Sequence, residues 1–132
     1  MQGLVGASNK KVYVNSLTNK GGSSIMEKGP SSFGQYWTSD ESEWRHFLEH
    51  GHEFNAKTVE EYTAKAVRFA NSQGRNIRAF RAKDGSIYKY IPRTNEFMII
   101  SETGKIVTYF KPTRGQKYFE EQFIKYGVYW IS

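Results

Sequence analysis

Four short apolar runs separated by tight turns limit the fold of this chain more than any other feature. NIRAFRAK, SIYKYIP, NEFMIISE and KIVTYFKP follow one another between residues 76 and 112. Each is rich in β-branched and aromatic residues, which suit a pleated, half-buried surface. Asp84-Gly85 is a hairpin dipeptide, the segment from Pro92 to Asn95 turns the chain again, and Thr103-Gly104 turns it a third time. Connections this short cannot make the crossover that parallel neighbours need, so the strands are expected to pair antiparallel in chain order. The third run, Phe97 to Ile100, is continuously apolar and reads as a central strand covered on both faces.

Helical patterns flank these runs. In TSDESEWRHFLEHG, Thr38 with Glu41 and Asp40 with Glu43 have capping-box spacing. Trp44, Phe47 and Leu48 fall on one helical face, and Gly51 is the stop signal. In KTVEEYTAKAVRFANSQG, Thr58 and Glu61 repeat the capping box. Val59, Tyr62, Ala66, Phe69 and Ala70 form the apolar stripe, and Gly74 closes the segment. A last helix is expected over GQKYFEEQFIKYG, with VYWIS as a tail. The expected class is α+β: two N-terminal helices packed on a four-stranded antiparallel sheet, plus a C-terminal helix. Residues 1–40, rich in Gly, Ser and Asn, read as a loosely ordered lead segment or linker with one strand-like run from Lys11 to Val14. Tyr36 and Trp37 are expected to anchor its end, and residues 41–132 to form the functional domain.

Charge narrows the choice of partner. The net charge is +6, but from Lys65 to Lys117 twelve Lys/Arg face only Asp84, Glu96 and Glu102, a local excess of +9. A basic sheet beside helices of mixed charge is a footprint for a polyanion, although a merely solvated basic surface has the same composition. The chain has no cysteine, so thiolate-held zinc and disulfides are excluded. This suits a reducing compartment, or a chain that crosses a membrane unfolded. No apolar run reaches the roughly 18 residues of a membrane span, so no membrane anchor is expected. The N-terminus lacks the pattern of a signal peptide.

All three histidines lie in HFLEHGHEF, residues 46–54. His46 and His50 are four apart and share a helical face, which is good spacing for two metal ligands. Phe47, however, occupies the position where the H-E-x-x-H helix carries its glutamate, so no metal is expected. An imidazole titrates near neutrality and can give or take a proton there. RNA brings its own nucleophile, the 2′-hydroxyl, so cleavage needs a base, an acid and a phosphate stabiliser, and no cofactor. His50 lies at the border of the apolar stripe and is the first candidate; His46 is the second. Solvated histidines on a wet helix are the plain alternative, and His52 fits it best.

The final strand is the second candidate region. Alternation puts Thr108 with Phe110 on one face and Tyr109 with Lys111 on the other, unless a twist or bulge intervenes. Thr108, Tyr109 and Lys111 could orient or neutralise a phosphate, and Phe110 could stack on a base. Arg78, Arg81 and Lys89 on the first two strands are candidate phosphate contacts. A non-catalytic nucleic-acid-binding module would use the same basic and aromatic groups.

H-F-x-x-H-G-x-E-F, T-x-x-E-Y-x-x-x-A-x-x-F, T-N-E-F and I-V-T-Y-F-K-P together resemble toxin domains of the barnase, EndoU, colicin and RelE nuclease group. The likeness is greatest to the C-terminal ribonuclease domains of contact-dependent growth inhibition toxins, and extends more distantly to the tRNA-cleaving domain of colicin D. It covers residues 44–112. The resemblance implies a metal-independent endoribonuclease, commonly acting on tRNA. It implies a secreted or cell-surface toxin fragment delivered to the target-cell cytoplasm and neutralised by an acidic immunity protein, and leaves a host activator protein open. It also implies roles: His50 matches the catalytic histidine, and Thr108 with Phe110 the hydroxyl–aromatic pair of the last strand. Glu49 stands where the colicin D pattern has a lysine, so His46, Lys111 or an arginine of the sheet would have to stabilise the phosphate.

Overall fold

The computed structural model describes residues 32–132; the strand-like run expected at Lys11 to Val14 lies outside them. From Gly34 to Ser132 the chain forms one compact unit. Helix α1 spans Asp40–His50, a 3-10 turn follows at Gly51–Phe54, and α2 spans Val59–Ala70. Strands β1 (Arg78–Ala82), β2 (Ile87–Ile91), β3 (Glu96–Ile100) and β4 (Ile106–Phe110) come next, then α3 (Gln116–Tyr126) and β5 (Gly127–Trp130). The class is α+β, as the sequence pattern predicts.

The sheet has five strands, in the order β4-β3-β2-β1-β5, every neighbour antiparallel. The fifth strand is the segment expected to be a tail: after α3 the chain turns back and pairs with β1, Phe80 opposite Trp130. Short connections do explain the order of the first four. The expected central strand, β3, is covered on both faces, since Phe97, Met98 and Ile100 are all buried. It nonetheless lies next to the edge strand, and β2 occupies the centre.

Aromatic rings fill both faces. On one, Phe80, Tyr88, Tyr90 and Phe97 pack with Phe119 of α3. On the other, Tyr109 meets Phe54, Tyr62 and Phe69 at ring separations of 4.2, 5.7 and 5.7 Å. Burying rings this large dominates the apolar contribution to stability, and their offset and edge contacts add to it. A register shift opposite Ile99 and Ile100 puts an extra residue into β4, so Ile106 turns inward with Ile100 while Thr108 stays opposite Ile99.

Helix α1 departs from its expected orientation. Ser39 is the N-cap, its side chain accepting from the Ser42 N–H at 3.0 Å, one residue after Thr38 and one before Asp40. Trp44 and Leu48 are 53% and 63% exposed, so of the expected Trp44–Phe47–Leu48 stripe only Phe47 faces inward. The inward face carries Ser42, His46, Phe47 and His50 instead, and α1 packs against α2 and β4. The α-helix ends at His50 with Gly51 as its C-cap, as expected, but the Gly51 backbone is right-handed and the chain runs straight on into the 3-10 turn. Glycine is needed there because a Cβ would lie 2.7 Å from the Phe47 ring. Asn55, at φ 57°, makes the left-handed exit. Helix α2 matches expectation at its start, where Thr58 accepts from the Glu61 N–H at 3.1 Å. It ends at Ala70 with Asn71 as C-cap, ahead of Gly74.

Candidate active site

Ahead of α1, the backbone at Tyr36 to Thr38 bonds to both sides of Ile106, and Trp37 is buried. The Trp37 indole N–H donates to Thr63 at 3.1 Å, and the Thr63 hydroxyl donates to Glu43 at 2.5 Å. This ties the segment ahead of α1 to α1 and α2 and fixes the Trp37 ring. His46 stacks on that ring at 5.1 Å, with planes 30° apart. His50 follows one helical turn later, its ring 6.2 Å from His46, and lies on Phe110 of β4 at 5.1 Å and 26°. The result is a row of rings: Tyr62, Trp37, His46, His50 and Phe110. The two histidines are half-buried within it.

Each imidazole is anchored through Nδ1. His46 Nδ1 lies 2.7 Å from the Ser42 carbonyl, which can only accept, so Nδ1 carries the hydrogen and Nε2 holds the lone pair. Burial lowers the His46 pKa, against the raising effect of that carbonyl and with further lowering from Arg45 and His50. His50 Nδ1 donates to Glu53 Oε2 at 2.8 Å, and its Nε2 lies 3.7 Å from the exposed Glu49 carboxylate. Glu53 Oε1 accepts from the Lys111 backbone N–H at 2.8 Å, fastening the 3-10 turn to the end of β4. The Lys111 ammonium sits over the Phe54 ring at 5.3 Å. Beyond Phe110, Tyr118 of α3 makes an edge contact at 5.8 Å and carries the Arg114 guanidinium over its own ring.

The fold therefore brings His46, His50, Phe110 and Lys111 to one end of the edge strand. Thr108 is half-buried on the Phe110 face, one pleat along. The other expected residues lie elsewhere. Tyr109 is fully buried, and its hydroxyl donates to Glu96, which suits packing rather than contact with a phosphate. Burial, together with Glu96, raises its pKa, keeping it neutral. Lys89 is also buried, and its ammonium donates to the carbonyls of Phe69, Ala70 and Ser72, so it closes α2. Arg78 shares the Phe110 face but lies three strands away, roughly 14 Å at about 4.8 Å per strand, over Trp130. Arg81 donates to the Gly85 carbonyl at the opposite end of the strands. Among the described residues, no three His, Asp or Glu converge as a metal cage.

Glu53 has no place among the residues expected from sequence; Trp37 is expected there only as an anchor, together with Tyr36, and of the two Trp37 is buried while Tyr36 is exposed. The i,i+3 spacing of His50 and Glu53 in H-G-x-E is a usable signal for Glu53. Nothing local marks Trp37 as the support of the His46 ring, since the helix carrying that ring follows it in the chain. No family model matches this chain, and no curated protein matches it.

Proposed function

We propose that this chain is a metal-independent endoribonuclease that uses His46 and His50 as its acid/base pair. The observation that carries the reading is their common arrangement: two neighbouring imidazoles, each tied at Nδ1, with His50 Nε2 beside the exposed Glu49 carboxylate. His46, biased to the neutral form by burial, accepts the 2′-hydroxyl proton at Nε2. The 2′-oxygen attacks phosphorus and the bond to the 5′-oxygen breaks. The departing oxygen takes a proton from Nε2 of the His50 imidazolium. The products are a 2′,3′-cyclic phosphate and a 5′-hydroxyl end. Lys111, over Phe54, and Arg114, over Tyr118, would neutralise the phosphate, in place of the lysine of the colicin D pattern, where this chain has Glu49.

The preference for tRNA, the delivery as a toxin fragment and the acidic immunity protein are carried by the resemblance of the H-F-x-x-H-G-x-E-F and I-V-T-Y-F-K-P motifs. The local excess of Lys and Arg between Lys65 and Lys117, leaving aside the buried Lys89, supports both polyanionic partners. The test is incubation with total tRNA in EDTA, followed by analysis of the product ends. Cleavage that leaves cyclic phosphate and is lost in His50→Ala is expected. Salt-sensitive RNA binding with intact RNA at every protein ratio would instead identify a non-catalytic binding module.

A further inference from the structure

The Glu53 carboxylate is shared between a side chain and the backbone. Oε2 accepts from His50 Nδ1 and Oε1 accepts from the Lys111 N–H, each at 2.8 Å. The histidine ring is thereby bonded to the segment whose preceding residue, Phe110, lies against its face. In a neutral imidazole one nitrogen donates and the other accepts, and the bond made by one decides the state of the other.

We propose that Glu53 is a positioning residue for His50: it holds the ring as the Nδ1–H tautomer and turns Nε2 outward, beside the exposed Glu49. The consequence for cleavage rests on the ribonuclease reading; the tautomer does not. In the reaction, His50 releases its proton from Nε2 to the 5′-oxygen and is left as the Nδ1–H form that Glu53 already favours. No hydrogen has to move between ring nitrogens, and the ring need not turn.

Glu53→Gln probes this sharply. The backbone N–H of Lys111 cannot change character, so the glutamine oxygen must face it, as Oε1 does now. The amide NH2 then faces His50 Nδ1, where a donor meets a donor unless Nδ1 gives up its hydrogen. The variant should therefore switch neutral His50 to the Nε2–H tautomer while keeping the shape of the turn.

Long-range proton–nitrogen NMR spectra of the histidine rings in the 15N-labelled chain read the tautomer directly, at alkaline pH where the rings are neutral. His50→Gln assigns the signal, and His46 serves as an internal control because its Ser42 carbonyl is untouched. The expected result is Nδ1–H in the wild-type chain and Nε2–H in Glu53→Gln, with His46 Nδ1–H in both. An Nε2–H form of His50 in the wild-type chain overturns the proposal without recourse to any variant. So does Nδ1–H in the variant. On tRNA, Glu53→Gln should lower kcat by about a hundredfold or more while KM stays within about twofold, as expected for a wrong tautomer at an intact site. A switched tautomer with unchanged kcat would also overturn the positioning role. A wild-type chain that cleaves no RNA refutes the ribonuclease reading, and the spectra still decide the role of Glu53 as holder of the ring.

Discussion

The His50 ring lies on the Phe110 ring, centroids 5.1 Å apart and planes 26° from parallel. The contact joins the end of α1 to the edge strand and limits how far the imidazole can tilt. Phe110 also touches Phe97 and Tyr118, at 5.2 and 5.8 Å, so its own position is fixed from the core side. Phe110→Leu keeps apolar volume and removes the flat support. On the ribonuclease reading, the expected result is a loss of about tenfold in kcat, since small misplacements of a reacting group are costly. The loss of stability should be about 1 kcal/mol. Steady-state cleavage and denaturant unfolding of the same sample separate the two effects.

The pH dependence follows from the surroundings of His46. Burial against Trp37 lowers its pKa below 6.5, with Arg45 and His50 acting in the same direction. As the base of the proposed reaction, His46 must be neutral, so the acid limb of kcat/KM should fall below pH 6.5. Stability follows the same sign. Between the lowered folded value and 6.5 the unfolded chain binds more protons than the folded one. His46 therefore contributes stability that is present above 6.5 and lost as pH falls through the folded value. Urea titrations from pH 7.5 to 5 should show this loss, and His46→Gln should flatten that part of it. A limb centred above 6.5 in the wild-type chain would remove His46 as the proposed base.

Lys89 gives a second linkage, at the other end of the scale. Burial depresses its pKa from 10.5 to about 8. The unfolded chain thus holds more protons between pH 8 and 10.5, and stability from this group rises with pH across that window. A tenfold change in proton affinity corresponds to about 1.4 kcal/mol, and partial solvent screening trims the total, so the gain by pH 10 is about 2 kcal/mol. Above pH 10 the sign reverses, because Tyr62 and Tyr109 are held neutral by burial and favour folding only until the unfolded tyrosines ionise. Unfolding free energy should peak near pH 10. Lys89→Met removes the rise and leaves three carbonyls at the end of α2 without their donor, at a cost of about 1–3 kcal/mol at pH 7.

Local chemistry makes most of the fold legible. Turn dipeptides and strand-like runs specify four strands and their order, and Thr58 with Glu61 marks the start of α2. The features that sequence misses depend on contacts distant along the chain. Nothing within VYWIS says that β1 has a free edge for it, so the fifth strand is invisible there. Helical periodicity in α1 offers two faces, and the more apolar one is the natural choice. Docking follows the ring row instead, because Trp37 and Phe110 supply flat surfaces for imidazoles. His46, His50 and Lys111 can be read from sequence by chemistry alone. Lys89 and Tyr109 have the same chemistry on paper; their burial by α2 and the 3-10 turn is tertiary information.

The orientation of α1 can be tested by substitution. Trp44→Ser and Leu48→Ser alter side chains that are more than half exposed, so each should change stability by no more than about 0.5 kcal/mol. Phe47 is only partly exposed, packs on Tyr62 at 6.1 Å and lies under Gly51. Phe47→Ala should cost about 3 kcal/mol, at the low end for a core phenylalanine because the site is not fully buried. Denaturant midpoints for the three variants make the comparison. The reverse ranking would mean that α1 docks by its Trp44–Leu48 face, which would carry the histidines away from β4.

Electrostatics should separate the cations of the site from those of the distant sheet. Lys111 and Arg114 flank the ring row, Lys111 over Phe54 and Arg114 over Tyr118 and paired with Glu121 at 2.5 Å. Arg81 points its guanidinium into the Gly85 turn at the opposite end of the strands. A cation that neutralises one phosphate releases about one counterion, so its removal weakens binding and lowers the slope of log affinity against log salt by about 0.7–0.9. Measured by anisotropy of labelled tRNA on the His50→Ala background, Lys111→Met and Arg114→Met should each show that drop. Arg81→Met should leave the slope unchanged. If Arg81→Met lowers the slope as much as Lys111→Met does, RNA lies across the β1–β2 turn, and the histidine pair is not where the chain is gripped.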